Sequence, residues 1–170
     1  MSIKPRTTVP ALDLPLVGGG RFDLTVRGPR AFTMIVAYRG LHCPICKAYL
    51  RDLDRKLTEF EAIGVTAVAI STDTAERAEQ AKADWGVAHV PIAYGLTIEE
   101  ARAWGLYISA GIKDGEPALF AEPGLFLIRP DRTLYAASIQ TMPFARPSLS
   151  DVLAGLKFVA EKNYPARGEA

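Results

Sequence analysis

The chain has 170 residues, 49% of them apolar and 23% charged, enough for one domain whose core needs no covalent staples. A formal charge of +1 leaves no excess of either sign, which argues against nucleic acid or an anionic membrane surface as partner. The best apolar run, FTMIVAY at 32–38, has the length of a strand and is too short to span a bilayer.

The opening segment MSIKPRTTVPALDLPL has prolines at 5, 10 and 15 and lacks the continuous apolar stretch of a secretory signal. A cytoplasmic location is therefore expected, where thiols are kept reduced. The segment reads as an extended arm over residues 1–10, then a turn at Gly18–Gly20 and a short strand from Arg21 to Val26, broken by Gly28-Pro29. FTMIVAY follows as a buried central strand. From Pro44 the period changes. Cys46, Leu50, Leu53, Leu57 and Phe60 recur at helical spacing, predicting a helix from Pro44 to about Ala62 that stops at Gly64. Pro44 suits the first helical position, which makes Cys43 the cap.

VTAVAIS at 65–71 reads as a second buried strand, and Asp73 with Glu76 as a capping pair for a helix ending near Trp85-Gly86. A strand around Ile92–Tyr94 comes next, then a capping box of Thr97 and Glu100 for a helix closing at Trp104-Gly105. Residues 107–122 show no clear period and read as irregular. LFLIRPDRTLYAASI predicts two strands joined by a Pro-Asp-Arg turn. Ser148 and Asp151 cap a last helix, Leu149 to about Lys162, with Val152, Leu156, Val159 and Ala160 inward; residues 163–170 are expected to fray. Trp85, Trp104, Phe126 and Tyr135 read as core, and RDLDRK at 51–56 as a solvated helix face with Asp52 and Lys56 at i,i+4 spacing.

This order predicts a single domain over 1–170, a three-layer α/β/α sandwich whose mixed sheet is parallel early and antiparallel at the late hairpin. Cys43 and Cys46, the only cysteines, fall where the first core strand hands over to its helix, the sheet end where open α/β folds place their sites. A permanent disulfide fits a reducing compartment poorly. Structural zinc needs about four ligands, and only His42 and His89 could supplement the thiols, so no metal or cofactor is expected. Inert core cysteines are the plain alternative, but the pairing of both thiols around a proline at a helix start favours redox chemistry. Residues three apart on a helix lie about 5–6 Å apart between Cβ atoms, near what a disulfide tolerates. The helix start favours thiolate, with Arg39 and Lys47 as further cations nearby in sequence. Cys43 is expected at the accessible tip and Cys46 partly inward, an arrangement suited to dithiol exchange. His42 is a candidate base or thiolate partner.

The stretch YRGLHCPIC, with the strand and helix order around it, resembles the thioredoxin-like superfamily and, within it, the peroxiredoxin-like (AhpC/TSA, redoxin) subgroup that carries C-x-x-C. The resemblance covers roughly residues 8–160 and implies a thioredoxin fold with a peroxiredoxin-type N-terminal β extension. Against the peroxiredoxin pattern P-x-x-x-T/S-x-x-C, Cys46 falls on the peroxidatic cysteine, Cys43 on the Thr/Ser and Arg39 on the proline. The late arginine of that site is similar to Arg146 in PFARPSLSDVL. Against thioredoxins, CPIC matches C-x-x-C directly, Cys43 is the attacking thiol, and Pro123 in EPGLFLI stands for the cis-proline.

The resemblance thus implies a thiol-dependent oxidoreductase reducing peroxides through a Cys43/Cys46 cycle, reset by an external dithiol reductant such as a thioredoxin or glutathione system. A thioredoxin-like reductase of protein disulfides would use the same two residues, and a non-catalytic redox sensor or binding module is a third reading. The resemblance also leaves a homodimer open.

Overall fold

The computed structural model describes residues 3–26, 28 and 30–170; Pro29 of the expected Gly28-Pro29 break, and the first two residues of the expected arm, lie outside them. Among the described residues nine strands and four α-helices follow one another. They are β1 (Asp13–Pro15), β2 (Arg21–Asp23), β3 (Phe32–Ala37), α1 (Pro44–Ala62), β4 (Val65–Ile70), α2 (Ala75–Trp85) and β5 (Ile92–Ala93), then α3 (Ile98–Ala103), β6 (Ile108–Ala110), β7 (Leu119–Ala121), β8 (Gly124–Ile128), β9 (Leu134–Ile139) and α4 (Leu149–Lys162).

The central sheet runs β5-β4-β3-β8-β9. β3, β4 and β5 are parallel, while β8 and β9 join antiparallel. Along β3, β4 and β8 every residue but Thr66 is buried, as expected of strands covered on both faces. Successive side chains go to opposite sides. Met34, Val36, Ala67, Ala69, Leu125 and Leu127 meet α1, α2 and α4, while Ile35, Ala37, Val68, Ile70, Phe126 and Ile128 meet α3 and the N-terminal arm. The three-layer mixed sandwich is therefore present. Among the described residues no helix is long and apolar enough to cross a membrane.

The arm crosses beneath the sheet. Residues 6–9 pair with 132–134 at the β9 side, β1 and β2 form a hairpin, and Tyr94 N donates to the Pro15 carbonyl at the β5 side. β2 ends at Asp23, short of the expected Val26, because the Asp23 carboxylate accepts from Thr25 N and Oγ1 and turns the chain.

α1 keeps its expected bounds. Pro44 sits in its first turn, and Cys46, Leu50, Leu53, Leu57 and Phe60 form the buried stripe. Gly64 beyond its end is at φ +83°, a conformation glycine adopts without penalty. Thr97 and Glu100 make the full capping box of α3, and Ser148 caps α4 by accepting from Asp151 N.

Four expectations are corrected. α2 is capped by Thr74, not Asp73; the Asp73 carboxylate is drawn instead into tertiary bonds at the site. The irregular region 107–122 contains the antiparallel hairpin β6–β7, too short and too poorly alternating to stand out. In α4 Val152, Leu156 and Val159 do face the core as expected, but Ala160 is exposed, and Leu149 and Leu153 join the buried face instead. Residues 163–170 are tied down: the Ala166 carbonyl accepts from Arg6 Nε and Nη2, Arg6 pairs with Glu169 at 3.1 Å, and the Tyr164 carbonyl accepts from Tyr135.

The RDLDRK face holds the Asp52–Lys56 pair at 2.7 Å. Asp54 of that stretch, however, accepts from His89 N and Val90 N and fastens the loop before β5. Leu53 lies fully buried between α1 and the sheet. Leu53→Ala should lower unfolding stability by about 2–5 kcal/mol, read as a fall in the denaturant midpoint with the slope unchanged.

Candidate active site

Cys43 and Cys46 are free thiols at the junction of β3 and α1. β3 delivers the chain to the sheet's carboxyl end, and the turn Gly40–Cys43, closed by Cys43 N donating to the Gly40 carbonyl at 3.1 Å, leads into the helix. Cys43 holds the cap position with extended backbone (φ −106°, ψ 102°), and its Sγ accepts from Cys46 N at 3.2 Å. The sulfur thus stands where a Ser or Thr oxygen commonly caps a helix.

The exposure expected for the pair is corrected. Cys43 is 2% exposed and Cys46 0%, so the outer thiol is nearly as covered as the inner one. Leu41 and Tyr49 pack against the cluster that contains both.

Cys46 nonetheless ionises readily. Burial opposes its thiolate, but the Cys43 thiol, the Arg146 charge and the Arg39 backbone N–H outweigh that opposition and lower its pKa to about 6. Cys43 moves the other way: its hydrogen bond to Cys46, burial and the Cys46 charge all raise its pKa. The pair divides into one anion and one donor.

Arg146 is brought to the thiolate from the far side of the chain. It follows a single 3₁₀ turn (Pro143–Ala145) and precedes α4. Its Nη2 lies 3.3 Å from Cys46 Sγ, with the Ala37 carbonyl at 3.5 Å, and its guanidinium stacks 4.8 Å over the Tyr49 ring. Tyr49 in turn donates to the Pro147 carbonyl at 2.8 Å, and burial pushes its pKa up to about 12, so the phenol stays neutral. Arg146 Nη1 is buried with no partner, as is Nε2 of His42. Such donors are rare in folded proteins.

The remaining expected site residues fall unevenly. Pro44 is at the helix start and exposed. Arg39 does not turn its guanidinium to the thiols: Nε lies 3.2 Å from Glu122 Oε2, an ion contact without good hydrogen-bond direction, and the side chain stacks 4.9 Å over Phe120. Only its backbone reaches Cys46. His42 packs against Phe120 at 4.7 Å and its Nδ1 lies 3.4 Å from Arg77 Nη2. Burial and the Arg39 charge lower its pKa, which keeps the ring neutral. Among the described residues no cluster of three His, Cys, Asp or Glu side chains could hold a metal ion.

The model of the AhpC/TSA family matches residues 5–137. The chain belongs to the AhpC/TSA family. Among solved structures it is similar to Xanthomonas campestris peroxiredoxin Q, at 25% identity and TM-score 0.70 over 88% of this chain and 91% of that one. It is also similar to the Mycobacterium tuberculosis peroxidoxin BcpB, at 19% identity and TM-score 0.72 over 92% and 98%. A third is the X. campestris bacterioferritin comigratory protein, which has alkyl peroxide reduction activity, at 24% identity and TM-score 0.70 over 88% and 92%. No curated protein matched. The fold is thioredoxin-like with the peroxiredoxin N-terminal extension, and the protein is an oxidoreductase of the peroxiredoxin type.

Within this AhpC/TSA frame one expected feature is absent. Pro123 is not cis; among the described residues no peptide bond is. Its carbonyl accepts from Gln140 N at 3.0 Å, and Gly124 beside it pairs with Ala37, so the chain enters β8 in the ordinary trans form. The thioredoxin comparison fails there. Phe120, Glu122, Asp73 and Arg77 belong to the site's surroundings and were not singled out from the sequence. The hairpin that carries Phe120 had no legible period, and Asp73 looked like a cap.

The thiolate of Cys46 forms as pH rises through its pKa. Iodoacetamide alkylation of the reduced protein should therefore reach half its plateau rate near pH 6. Replacing Arg146 by Gln removes the guanidinium charge, so the half-point should move upward toward the ordinary thiol value of about 8.5.

Proposed function

We propose that this AhpC/TSA protein is a thiol peroxidase in which Cys46 attacks the peroxide and Cys43 resolves the product. The observation that carries the reading is Arg146 Nη2 at 3.3 Å from the Cys46 sulfur; together with the Cys43 thiol and the Arg39 backbone N–H its charge lowers the Cys46 pKa, while that of Cys43 is raised. Thiolate is the nucleophilic form of cysteine, so the attacking role goes to Cys46 and not to the outer thiol of the thioredoxin scheme.

In the first step the Cys46 thiolate attacks the nearer peroxide oxygen and the O–O bond breaks. The sulfur becomes sulfenic acid, and the departing alkoxide or hydroxide takes up a proton to leave as alcohol or water. In this reading the Arg146 guanidinium, at 3.3 Å from the sulfur, also donates to a peroxide oxygen, where a charge-assisted hydrogen bond is strong. In the second step the Cys43 sulfur attacks the sulfenic sulfur, water leaves, and the Cys43–Cys46 disulfide forms. An external dithiol then supplies two electrons and two protons, by exchange through a mixed disulfide. The alkyl peroxide reduction of the X. campestris relative supports organic hydroperoxides as substrates beside hydrogen peroxide. The covered sulfurs suit a small substrate.

Reduction of protein disulfides by Cys43 is the competing scheme, and both the raised pKa of Cys43 and its 2% exposure weigh against it. Cys46→Ser should abolish peroxide consumption. Cys43→Ser should consume one equivalent of peroxide and hold a sulfenic acid that a dimedone probe captures, seen by mass spectrometry. Trapping on Cys43 instead, or insulin reduction at a rate matching peroxide turnover, would overturn this order of attack.

A further inference from the structure

The turn that sets Cys43 at the helix cap is gripped from beneath by two residues of another element. Leu41 and His42 are its central residues. Leu41 N donates to Asp73 Oδ2 at 2.8 Å, and His42 Nδ1 faces Arg77 Nη2 at 3.4 Å. Arg77 Nε also donates to Asp73 Oδ1 at 2.9 Å, so the two contacts belong to one clamp. The Asp73 side chain is fully buried. Gly40, which opens the turn, is at φ +134°, and a Cβ there would stand 2.6 Å from Asp73 Oδ1; only glycine lets the carboxylate come so close.

We propose that Asp73 and Arg77 are positioning residues for the dithiol, holding the turn Gly40–Cys43 in the one register that keeps the Cys43 sulfur over the start of α1. The proposal rests on the peroxidase reading above, with Cys46 as attacker and Cys43 as donor and resolving thiol.

Three observations separate this role from general support. First, α2 does not need Asp73, because Thr74 caps it. The carboxylate is committed to the turn across a sequence gap of 32 residues. Second, the clamp reaches both central residues of the turn, one through its backbone and one through its ring, so neither can rotate without breaking a bond to Asp73 or Arg77. Third, the turn ends on Cys43, whose Sγ lies 3.2 Å from Cys46 N. A drift of this turn would take the thiol donor away from the Cys46 thiolate and misalign Cys43 for attack on the sulfenic sulfur. The other groups that favour the Cys46 thiolate are not held by Asp73 or Arg77: Arg146 comes from the segment before α4, and the Arg39 N–H from the chain just beyond β3. A change in Cys46 ionisation on releasing the clamp would thus run through Cys43.

The test uses the full chain with Arg77→Ala and Asp73→Asn. Arg77 is partly exposed and its removal leaves the α2 cap intact, so it carries the test alone should Asp73→Asn fail to fold. Thiolate absorbance at 240 nm is followed against pH in the reduced proteins, and the two phases after peroxide mixing, sulfenic acid formation and disulfide closure, are timed separately. In the variants the low thiolate midpoint should rise by about one unit, the worth of one hydrogen bond to a charged sulfur. Disulfide closure should slow by about tenfold or more. Folded variants that lose thermal stability yet keep both the midpoint and the closure rate would overturn the proposal and leave the peroxidase reading standing. A parent protein without a low-midpoint thiolate would overturn both.

Discussion

The contact between Arg146 and Cys46 is the constraint to which the other parts of the site are subordinate. A thiolate taken out of water is opposed by desolvation, and Cys46 is 0% exposed. The Cys43 thiol and the guanidinium at 3.3 Å together offset that opposition, and the guanidinium is itself held under cover. Its position depends on Tyr49 beneath it, on the Ala37 carbonyl at the end of β3, and on the Tyr49 bond to Pro147 that fixes the segment before α4. The junction of a central strand with the first turns of α1 therefore has to meet the approach to α4, 100 residues further along the chain. The fold supplies that meeting because β3 lies in the middle of the sheet and α1 and α4 share one of its faces.

Much of this frame was legible in the sequence because it depends on local signals. The strand FTMIVAY, the stripe from Cys46 to Phe60, the proline at the start of α1 and the box at Thr97–Glu100 are patterns of period, capping and turn chemistry that few competing arrangements satisfy. The aromatics read as core, Trp85, Trp104, Phe126 and Tyr135, are indeed buried. The errors share a physical origin. Asp73 carries a side chain that would cap a helix well, and the sequence offers no sign that a turn 32 residues earlier competes for it. Arg39 lies beside the thiols along the chain, yet its guanidinium goes to Glu122, 83 residues on by the numbering, because that carboxylate is buried and needs a counter-charge. The exposure of Cys43 depended on what covers the turn, which no local pattern reports.

In the proposed cycle, a cysteine at the helix cap, the position that the resemblance to peroxiredoxins assigns to Thr or Ser, sets the order of events. Both of the strongest influences that raise Cys43, apart from burial, come from Cys46: a hydrogen bond to its sulfur and the charge on that sulfur. While Cys46 is a thiolate, Cys43 is held as a neutral donor and cannot compete for peroxide. In the proposed cycle, oxidation of Cys46 to sulfenic acid removes that negative charge. The hydrogen bond to an anion goes with it, and only desolvation still opposes ionisation of Cys43. The resolving thiol then becomes easier to deprotonate at the moment its target appears. A threonine at this position could share the donor role but could not take the second, and a cysteine elsewhere in the chain would need a larger rearrangement to reach Cys46. In that cycle one residue, at the cap of the helix whose first turn carries the attacking sulfur, is both donor and resolving group, so a single hydrogen bond favours the Cys46 thiolate before attack and its loss frees Cys43 for the second step.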